Sequence, residues 1–334
     1  MINTLLICGG GGSEHEVSLR TADFIQRQLE EVADIAVTRV EMSANGQLMD
    51  TDGNVCQLGP DRSLHREPGH NWPVHYVIPA IHGYPGETGD LQSELDILGI
   101  PYFGCGPEAS KFCFNKVSTK LWLRALGIDN TPYQFLFANE PEEFAKAGMA
   151  LREWGAVFVK ASNQGSSVGC YRADDTDALQ HAVEQAFQLS PYVLVEKCLT
   201  GRELEVATYD YDGELIITPP GEVRAPADTF YNYEEKYGEH SRASTFVEAE
   251  GLSDAQLGWV REASRRAFLG LHLKDLSRID FFLTDEGDIY LNEVNTFPGM
   301  TPISMFPKML ANMGHSFSHY LASLIRRATA SAHS

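Results

Sequence analysis

The stretch Arg278–Thr301, RIDFFLTDEGDIYLNEVNTFPGMT, decides the fold. Two runs of alternating apolar residues flank the turn cluster Thr-Asp-Glu-Gly-Asp288, the pattern of a β-hairpin. Side chains two residues apart share a strand face. Arg278, Asp280 and Phe282 therefore share one face of the first strand, and Ile289, Leu291, Glu293 and Asn295 one face of the second. A loop of residues 285–288 sets Asp280 opposite Glu293 and Arg278 opposite Asn295. Carboxylates so paired, at roughly 4.5–5.5 Å between Cβ atoms, repel each other, and a divalent cation removes that cost. Hard cations such as Mg²⁺ take carboxylate and amide oxygens, usually alongside phosphates. An arginine beside them is placed to stabilise charge developing in a transition state. The same alternation also suits the solvated face of an ordinary antiparallel hairpin. The sequel, Asn295-Thr-Phe-Pro-Gly-Met-Thr301, favours the site: Pro298 fixes φ and Gly299 lets backbone approach a ligand closely.

The remaining composition sets bounds. A chain of 334 residues is too long for one ordinary core, so two or three domains are expected. Hydrophobic residues make up 43% and charged residues 22%, as in soluble globular proteins. A net charge of −20 disfavours a nucleic-acid backbone or an anionic membrane as general partner. The six cysteines (8, 56, 105, 113, 170, 198) form no CxxC, so neither a zinc site nor a disulfide framework is expected. Met1–Cys8 is too short an apolar run, and lacks the basic start, for a signal peptide. No apolar stretch approaches the roughly 18 residues of a membrane span. The expectation is a cytoplasmic enzyme.

Along the chain, Thr4–Cys8 reads as a buried parallel strand, followed by GGGGSEHEVS and a helix over 17–32. Strand, glycine loop and helix form the anion-binding arrangement of a doubly wound fold. GxGxxG is not satisfied, because Glu14 stands where the third glycine belongs. Glu14 reads equally as a dipole-favoured first-turn anion or as a ligand. Residues 45–72 read as loops and a weak hairpin, and Val74–Ile81 as a strand. HGYPGETGD (82–90) follows at that strand's carboxyl end, where open α/β sheets bind ligands, which favours a site role for His82 and Glu87. The pattern then predicts a helix over 91–98, a short strand over 101–106, and one helix over 110–127 carrying Lys111, Lys116 and Lys120. Strand 156–160 ends in Lys160 and meets ASNQGSSVG (161–169), the composition of a loop that closes on phosphates with its N–H groups. It is not a Walker A loop. Strands over 133–137 and 192–196, helices over 140–154 and 175–189, a connector over 197–200, and a hairpin of 203–210 with 214–218 follow. Residues 219–245, long, polar and aromatic, read as a lid. Helices over 253–271, 304–313 and 316–329 flank the hairpin.

These segments together resemble D-alanine–D-alanine ligases of the ATP-grasp superfamily. GGGGSEHEVSL, HGYPGETGDLQ, VKASNQGSSVG, EKCLTGRELEVA, YNYEEKY, RIDFFL and NEVNTFPGMTPISMFP are similar to that family's motifs, in order and over nearly the whole length. The resemblance implies an α/β protein, α+β in its ATP-binding part: a three-domain ATP-grasp fold with an N-terminal doubly wound domain. The expected division is 1–104, a central lobe 105–195, and a C-terminal lobe 196–330. By matched position, Lys116 and Lys160 would contact the phosphates of ATP, and Lys236 would also bind ATP. Glu196, Lys197 and Leu199 would line the adenine site, and Glu203 the ribose. Asp280, Glu293 and Asn295 would hold two Mg²⁺ ions, or Mn²⁺ in their place. Glu14, supported by His82, would bind the ammonium of the first D-alanine, and Ser304 the carboxylate of the second. Glu14, Ser166 and Tyr237 look like the family's hydrogen-bonded triad, and Arg278 with the Gly299 N–H would stabilise the oxyanion. A homodimer is implied. Thr88 and Ala161 depart from the family pattern, an acidic residue and a proline, without removing a proposed ligand.

Other readings fit less of the chain. A ligase making D-Ala–D-lactate or D-Ala–D-serine shares the chemistry, but Tyr237 resembles the dipeptide-forming members. A regulatory nucleotide binder would not need Arg278, Asp280, Glu293 and Asn295 together, and a dinucleotide oxidoreductase lacks its fingerprint. Tyr237→Phe is expected to raise acceptance of D-lactate or D-serine. The ratio of products identified by mass across pH checks this, and an unchanged ratio counts against a selectivity role.

Overall fold

The computed structural model describes residues 1–66, 69–224 and 244–331. Its N-terminal sheet is built on β1 (Ile2–Gly9), followed by α1 (His15–Glu30) and β2 (Ile35–Met42). Leu5 to Cys8 are fully buried because both sheet faces are covered. Leu6 and Cys8 pack with Ala22, Ile25 and Leu29 of α1. Leu5 and Ile7 pack on the other face with Leu91 and Leu95. Beyond β2 the sheet runs antiparallel through β3 (Leu48–Asp50), β4 (Val55–Leu58), β5 (Ser63–Arg66) and β6 (His70–Pro73). The expectation of loops and a weak hairpin over 45–72 is corrected here. These strands have three or four residues each and carry turn residues between them, so no alternation is long enough to read. On the other side β7 (Tyr76–Pro79) pairs with β1 in parallel, as β2 does. The strand expected over 101–106 reduces to an isolated bridge between Tyr102 and Val77.

After α2 (Asp90–Leu98), the helix expected over 110–127 is two helices, α3 (Pro107–Phe114) and α4 (Lys116–Ala125). Asn115 breaks them. It adopts an extended conformation, and its side chain caps α4 by accepting the Ser118 N–H at 3.0 Å. The helical apolar period continues across this break, so periodicity alone hides it. Ala109, Cys113 and Leu123 share a core with Leu204, Ile279, Phe281 and Leu291, so this helix pair packs on the third sheet.

The second sheet contains β8 (Tyr133–Leu136), β9 (Val157–Ala161), β10 (Cys170–Ala173) and β11 (Val193–Lys197), all antiparallel, in the order β10-β9-β11-β8. One face buries Val157, Val159, Val193 and Val195 against α5 (Pro141–Trp154) and α6 (Thr176–Leu189). The other face carries Lys160 and Glu196.

The third sheet has the order β15-β14-β12-β16-β17, with β13 paired to β12. Its strands are β12 (Gly201–Tyr211), β13 (Glu214–Ile217), β14 (Gly221–Arg224), β15 (Ser244–Phe246), β16 (Leu276–Thr284) and β17 (Ile289–Asn295). Strands β14 and β15 take the ends of the expected lid. Helix α7 (Asp254–Gly270) starts in a Ser253/Gln256 capping box and covers one face. Helices α8 (Met305–Asn312) and α9 (Phe317–Ser331) close the chain, and α9 returns to the N-terminal sheet. Leu6, Ile25, Tyr209, Leu276, Phe306 and Tyr320 thereby form one core. No helix among the described residues is long and apolar enough to cross a membrane.

Phe306 lies at the centre of that shared core, fully buried, with its ring 5.8 Å from Tyr209 and 6.5 Å from Tyr320. Phe306→Ala is expected to cost about 3–5 kcal/mol, read as a lower urea midpoint at unchanged slope. Wild-type stability would contradict the shared core.

Candidate functional site

The hairpin sets the register of the site. Thr284 N–H donates to Asp288 C=O at 2.8 Å, so the turn spans 285–287 and is one residue shorter than the sequence pattern suggests. Leu283 then faces Ile289 and Phe281 faces Leu291, yet Asp280 faces Glu293 and Arg278 faces Asn295. The register shift between Phe281 and Asp280 leaves Asn292 as an extra residue, a β-bulge. The expected pairings therefore hold at the polar positions. The expected common face for Ile289, Leu291, Glu293 and Asn295 does not: Ile289, Leu291 and Val294 are buried in the core, whereas Glu293 and Asn295 line the cleft.

A row of three carboxylates crosses the sheet here. Glu205 on β12 faces Asp280 on β16, which faces Glu293 on β17. Arg278 balances part of this charge. Its Nε and Nη2 each donate to Asp280 at 2.7 Å, and its Nε lies 3.4 Å from Glu205 Oε1. Asn295 Nδ2 donates to Asp280 Oδ2 at 2.9 Å. Among the described residues no group of three His, Cys, Asp or Glu is clustered to hold a metal by itself. A cation here would rest on two carboxylates, an amide oxygen and phosphates. That donor set is all oxygen and suits Mg²⁺, which keeps few protein ligands in nucleotide sites.

Opposite this row, the second sheet and α4 present lysines. Lys160 Nζ and Lys120 Nζ both contact the Glu196 carboxylate, Lys120 at 2.6 Å. Burial pushes the Glu196 carboxyl up, but the two ammonium groups outweigh it and hold it at about 2. Lys116 Nζ donates to Gln164 C=O at 2.5 Å, at the head of the 161–169 loop. In that loop Ser166 and Ser167 have φ of 49° and 62°, a left-handed conformation that non-glycine residues seldom take. Lys116, Lys160, Lys197 and Leu199 line the cleft here, and Glu203 and Asp280 line it from the third sheet.

The N-terminal domain supplies the third wall. Gly9 and Gly10 have φ near +90°, and a Cβ on Gly9 would lie 2.6 Å from Met42 C=O, so this turn requires glycine. It delivers Glu14, which is buried and accepts the Ser166 hydroxyl at 2.5 Å. His82 is buried too, with Nε2 2.9 Å from Thr21 Oγ1. Burial lowers its pKa and so favours its neutral form, although Glu14 opposes that shift. Glu87 accepts the Gly83 N–H at 2.8 Å, and burial, aided by Glu14, raises its carboxyl to about 8. Ser304 stands at the start of α8, its hydroxyl 2.7 Å from Thr301 Oγ1. Glu14, His82, Ser166, Arg278, Glu293, Asn295, Gly299 and Ser304 line one continuous cleft. Lys236 and Tyr237 lie outside the described residues.

Two residues of the site carry no site role in the sequence reading, Lys120 and Glu205. Lys120 stands one helical turn after Lys116, on the same face, and Glu205 stands two residues after Glu203 on the same strand face. Those spacings were the available signal.

Buried and cleft-lining lysines between two antiparallel sheets, opposite a carboxylate row and closed by an N-terminal α/β domain, fit an ATP-grasp ligase. The chain matches the family model described as D-ala D-ala ligase N-terminus over residues 3–105 and the one described as D-ala D-ala ligase C-terminus over 122–326. It is 56% identical over 325 residues to a D-alanine–D-alanine ligase of Tolumonas auensis, covering 97% of this chain and 98% of that one. Among solved structures, D-alanyl-alanine synthetase A of Vibrio cholerae superposes with a TM-score of 0.94 at 51% identity, over 98% of each chain. A D-Ala:D-Ser ligase of Enterococcus faecalis gives 0.85 at 26% identity, over 98% of this chain and 99% of that one. The chain belongs to the D-alanine–D-alanine ligase family.

Two predictions rest on this geometry. Asp280→Asn and Glu293→Gln are expected to lower turnover at least about 100-fold in folded protein, the scale of losing a group that holds transition-state charge. Near-normal steady-state turnover in either variant would refute a metal role. The second concerns pH. Because folding raises the Glu87 pKa from its ordinary 4.5 to about 8, the folded state binds the extra proton between those values. Its stabilisation is complete below the lower value and is lost as pH rises through the upper one. Glu87→Gln, which cannot ionise, is expected to gain melting temperature relative to wild type between pH 5 and pH 8. A pH-independent difference would contradict the shift.

Proposed function

We propose that this chain joins two D-alanine molecules into D-alanyl-D-alanine, converting ATP to ADP and phosphate through a D-alanyl phosphate, for peptidoglycan precursors. One observation carries the reading: Glu14, suited to an ammonium, is hydrogen-bonded to Ser166 of the phosphate loop, in the same cleft as Lys116, Arg278 and Glu293.

The roles follow from charge and position. Lys116 and Lys160 face the triphosphate, residues 196–199 line the adenine, and Glu203 reaches the ribose. Glu14 takes the ammonium of the first D-alanine, and the neutral His82 supports it. The first carboxylate attacks the γ-phosphate while the lysines stabilise charge spreading over the phosphoryl oxygens. Asp280, Glu293 and Asn295 would hold Mg²⁺, with two ions expected, and the metal supplies further neutralisation of the phosphates. Ser304, at a helix start that favours anions, takes the second carboxylate. The second amine then attacks the acyl phosphate, with Arg278 and the Gly299 N–H stabilising the oxyanion. Arg278 reaches the carbonyl by giving up a hydrogen bond to Asp280, while Glu205 keeps it at the cleft. Excluding water from this cleft protects the acyl phosphate from hydrolysis. The reading extends to a cytoplasmic homodimer, as the resemblance implies.

A D-serine or D-lactate acceptor is the second reading, because the Enterococcus faecalis ligase shares this fold. The test is ADP release from ATP and Mg²⁺ with D-alanine, L-alanine, or D-alanine plus D-lactate or D-serine, with products identified by mass. D-alanine-dependent release yielding D-alanyl-D-alanine is expected. Release only with another acceptor moves the substrate assignment, and no release with any pair overturns the enzymatic reading.

A further inference from the structure

We propose that Lys120 is a positioning residue: a buried second cation on Glu196 that leaves the Lys160 ammonium available to the phosphate chain of ATP. The proposal rests on the nucleotide reading above and adds a residue to it.

Glu196 (β11) lies between two lysines that reach it from different elements. Lys160 comes from β9, where it pairs with Leu194, and Lys120 from α4. The Lys120 and Glu196 side chains are each 2% exposed, whereas that of Lys160 is 15% exposed and lines the nucleotide cleft. Lys120 lines neither wall of the site. The three groups are thus arranged in depth: Lys120 at the bottom, Glu196 in the middle, Lys160 at the mouth.

Charge counting gives this arrangement its meaning. A Lys160–Glu196 pair alone would be neutral and mutually satisfied. A phosphate drawing Lys160 away would then strand a buried carboxylate, a costly state. With Lys120 beneath it, Glu196 keeps an ammonium partner whichever way Lys160 turns. The cluster carries one surplus positive charge, and that charge sits at the mouth, facing where phosphates bind. A role confined to stabilising the fold accounts for less. Lys160 already neutralises Glu196, and burying a second ammonium is opposed by desolvation. Burial accordingly lowers the Lys120 pKa, with Glu196 opposing. Neither Lys120 Nζ nor Glu196 Oε1 has a well-aligned hydrogen bond elsewhere among the described residues, so the contact between them is what Lys120 offers. Helix α4 therefore serves the phosphate site twice. Lys116 faces the cleft directly, and Lys120, one turn later, governs the lysine beside it.

The test is calorimetric binding of ATP with Mg²⁺, without D-alanine, to wild type, Lys120→Met, Glu196→Gln and Lys120→Met/Glu196→Gln, with D-alanine KM measured alongside; Glu196→Gln gives the baseline, because Glu196 itself borders the adenine. In Lys120→Met, Glu196 holds Lys160 as its sole cation, and ATP affinity is expected to fall about tenfold or more, a change of one decade in Kd. The D-alanine KM should move less than about twofold. Once Glu196→Gln has removed the competing carboxylate, Lys160 is free in either case, and adding Lys120→Met should cost less than half of the logarithmic loss it causes in the wild-type background. Damage to the fold would instead move the D-alanine KM together with ATP affinity. Lys120→Gln, which keeps a donor on Glu196 without the charge, gives the same comparison should the apolar variant fail to fold. Wild-type affinity in the Lys120 variants, or a Lys120→Met loss as large in the Glu196→Gln background as in wild type, overturns the proposal. Failure of wild type itself to bind ATP would instead overturn the nucleotide reading.

Discussion

Asp280 and Glu293 face each other across β16 and β17 because β17 carries one residue more than its partner. The turn at 285–287 alone would put Asn292 opposite Asp280 and send Glu293 into the core beside Leu291. The bulge reverses the side-chain alternation for the last residues of β17. Val294 stays in the core, and Glu293 and Asn295 turn to the cleft. Everything at the site is measured from that row of carboxylates. Like charges in register are destabilising, and the structure meets the cost with Arg278 on Asp280 and Glu205 and with lysines across the cleft.

The same economy of charge governs the opposite wall. Lys120, Lys160 and Glu196 form a buried cluster whose net charge is opposite to that of the row, and Lys116 extends it to the loop at 161–169. Two sheets of opposite local charge, joined through the shared packing of α3 and α4, leave a gap suited to a polyanion with a cation. The whole chain is acidic, at −20, so these few lysines matter more than the average field. Glu14 ties the N-terminal turn to the 161–169 loop through Ser166, so the two walls of the cleft share a hydrogen bond.

Much of this was legible in the sequence, and the failures have physical causes. Strands with a buried face on both sides, such as β1, and helices with clear caps, such as α7 after Ser253, are written locally. The sequence pattern pairs Asp280 with Glu293 through two errors that cancel, a loop one residue too long and no bulge. A bulge has no composition of its own here, so the pattern of period two conceals it. The antiparallel strands over 48–73 are too short for periodicity, and Asn115 interrupts a helical apolar pattern without disturbing it. Lys120 and Glu205 were visible only as spacings; what marks them is burial beside an opposite charge, which depends on elements distant in the chain. Lys236 and Tyr237 fall outside the described residues.

The central claim is that the bulged hairpin holds a metal ion between Asp280 and Glu293 at the phosphate end of the cleft. The most direct measurement is anomalous diffraction from crystals grown with Mn²⁺ and a non-hydrolysable ATP analogue. The account expects anomalous density within coordination distance of Asp280, Glu293 and Asn295, with Arg278 turned away from at least one Asp280 oxygen. Bound nucleotide with manganese elsewhere, or with none at these three residues, would contradict it.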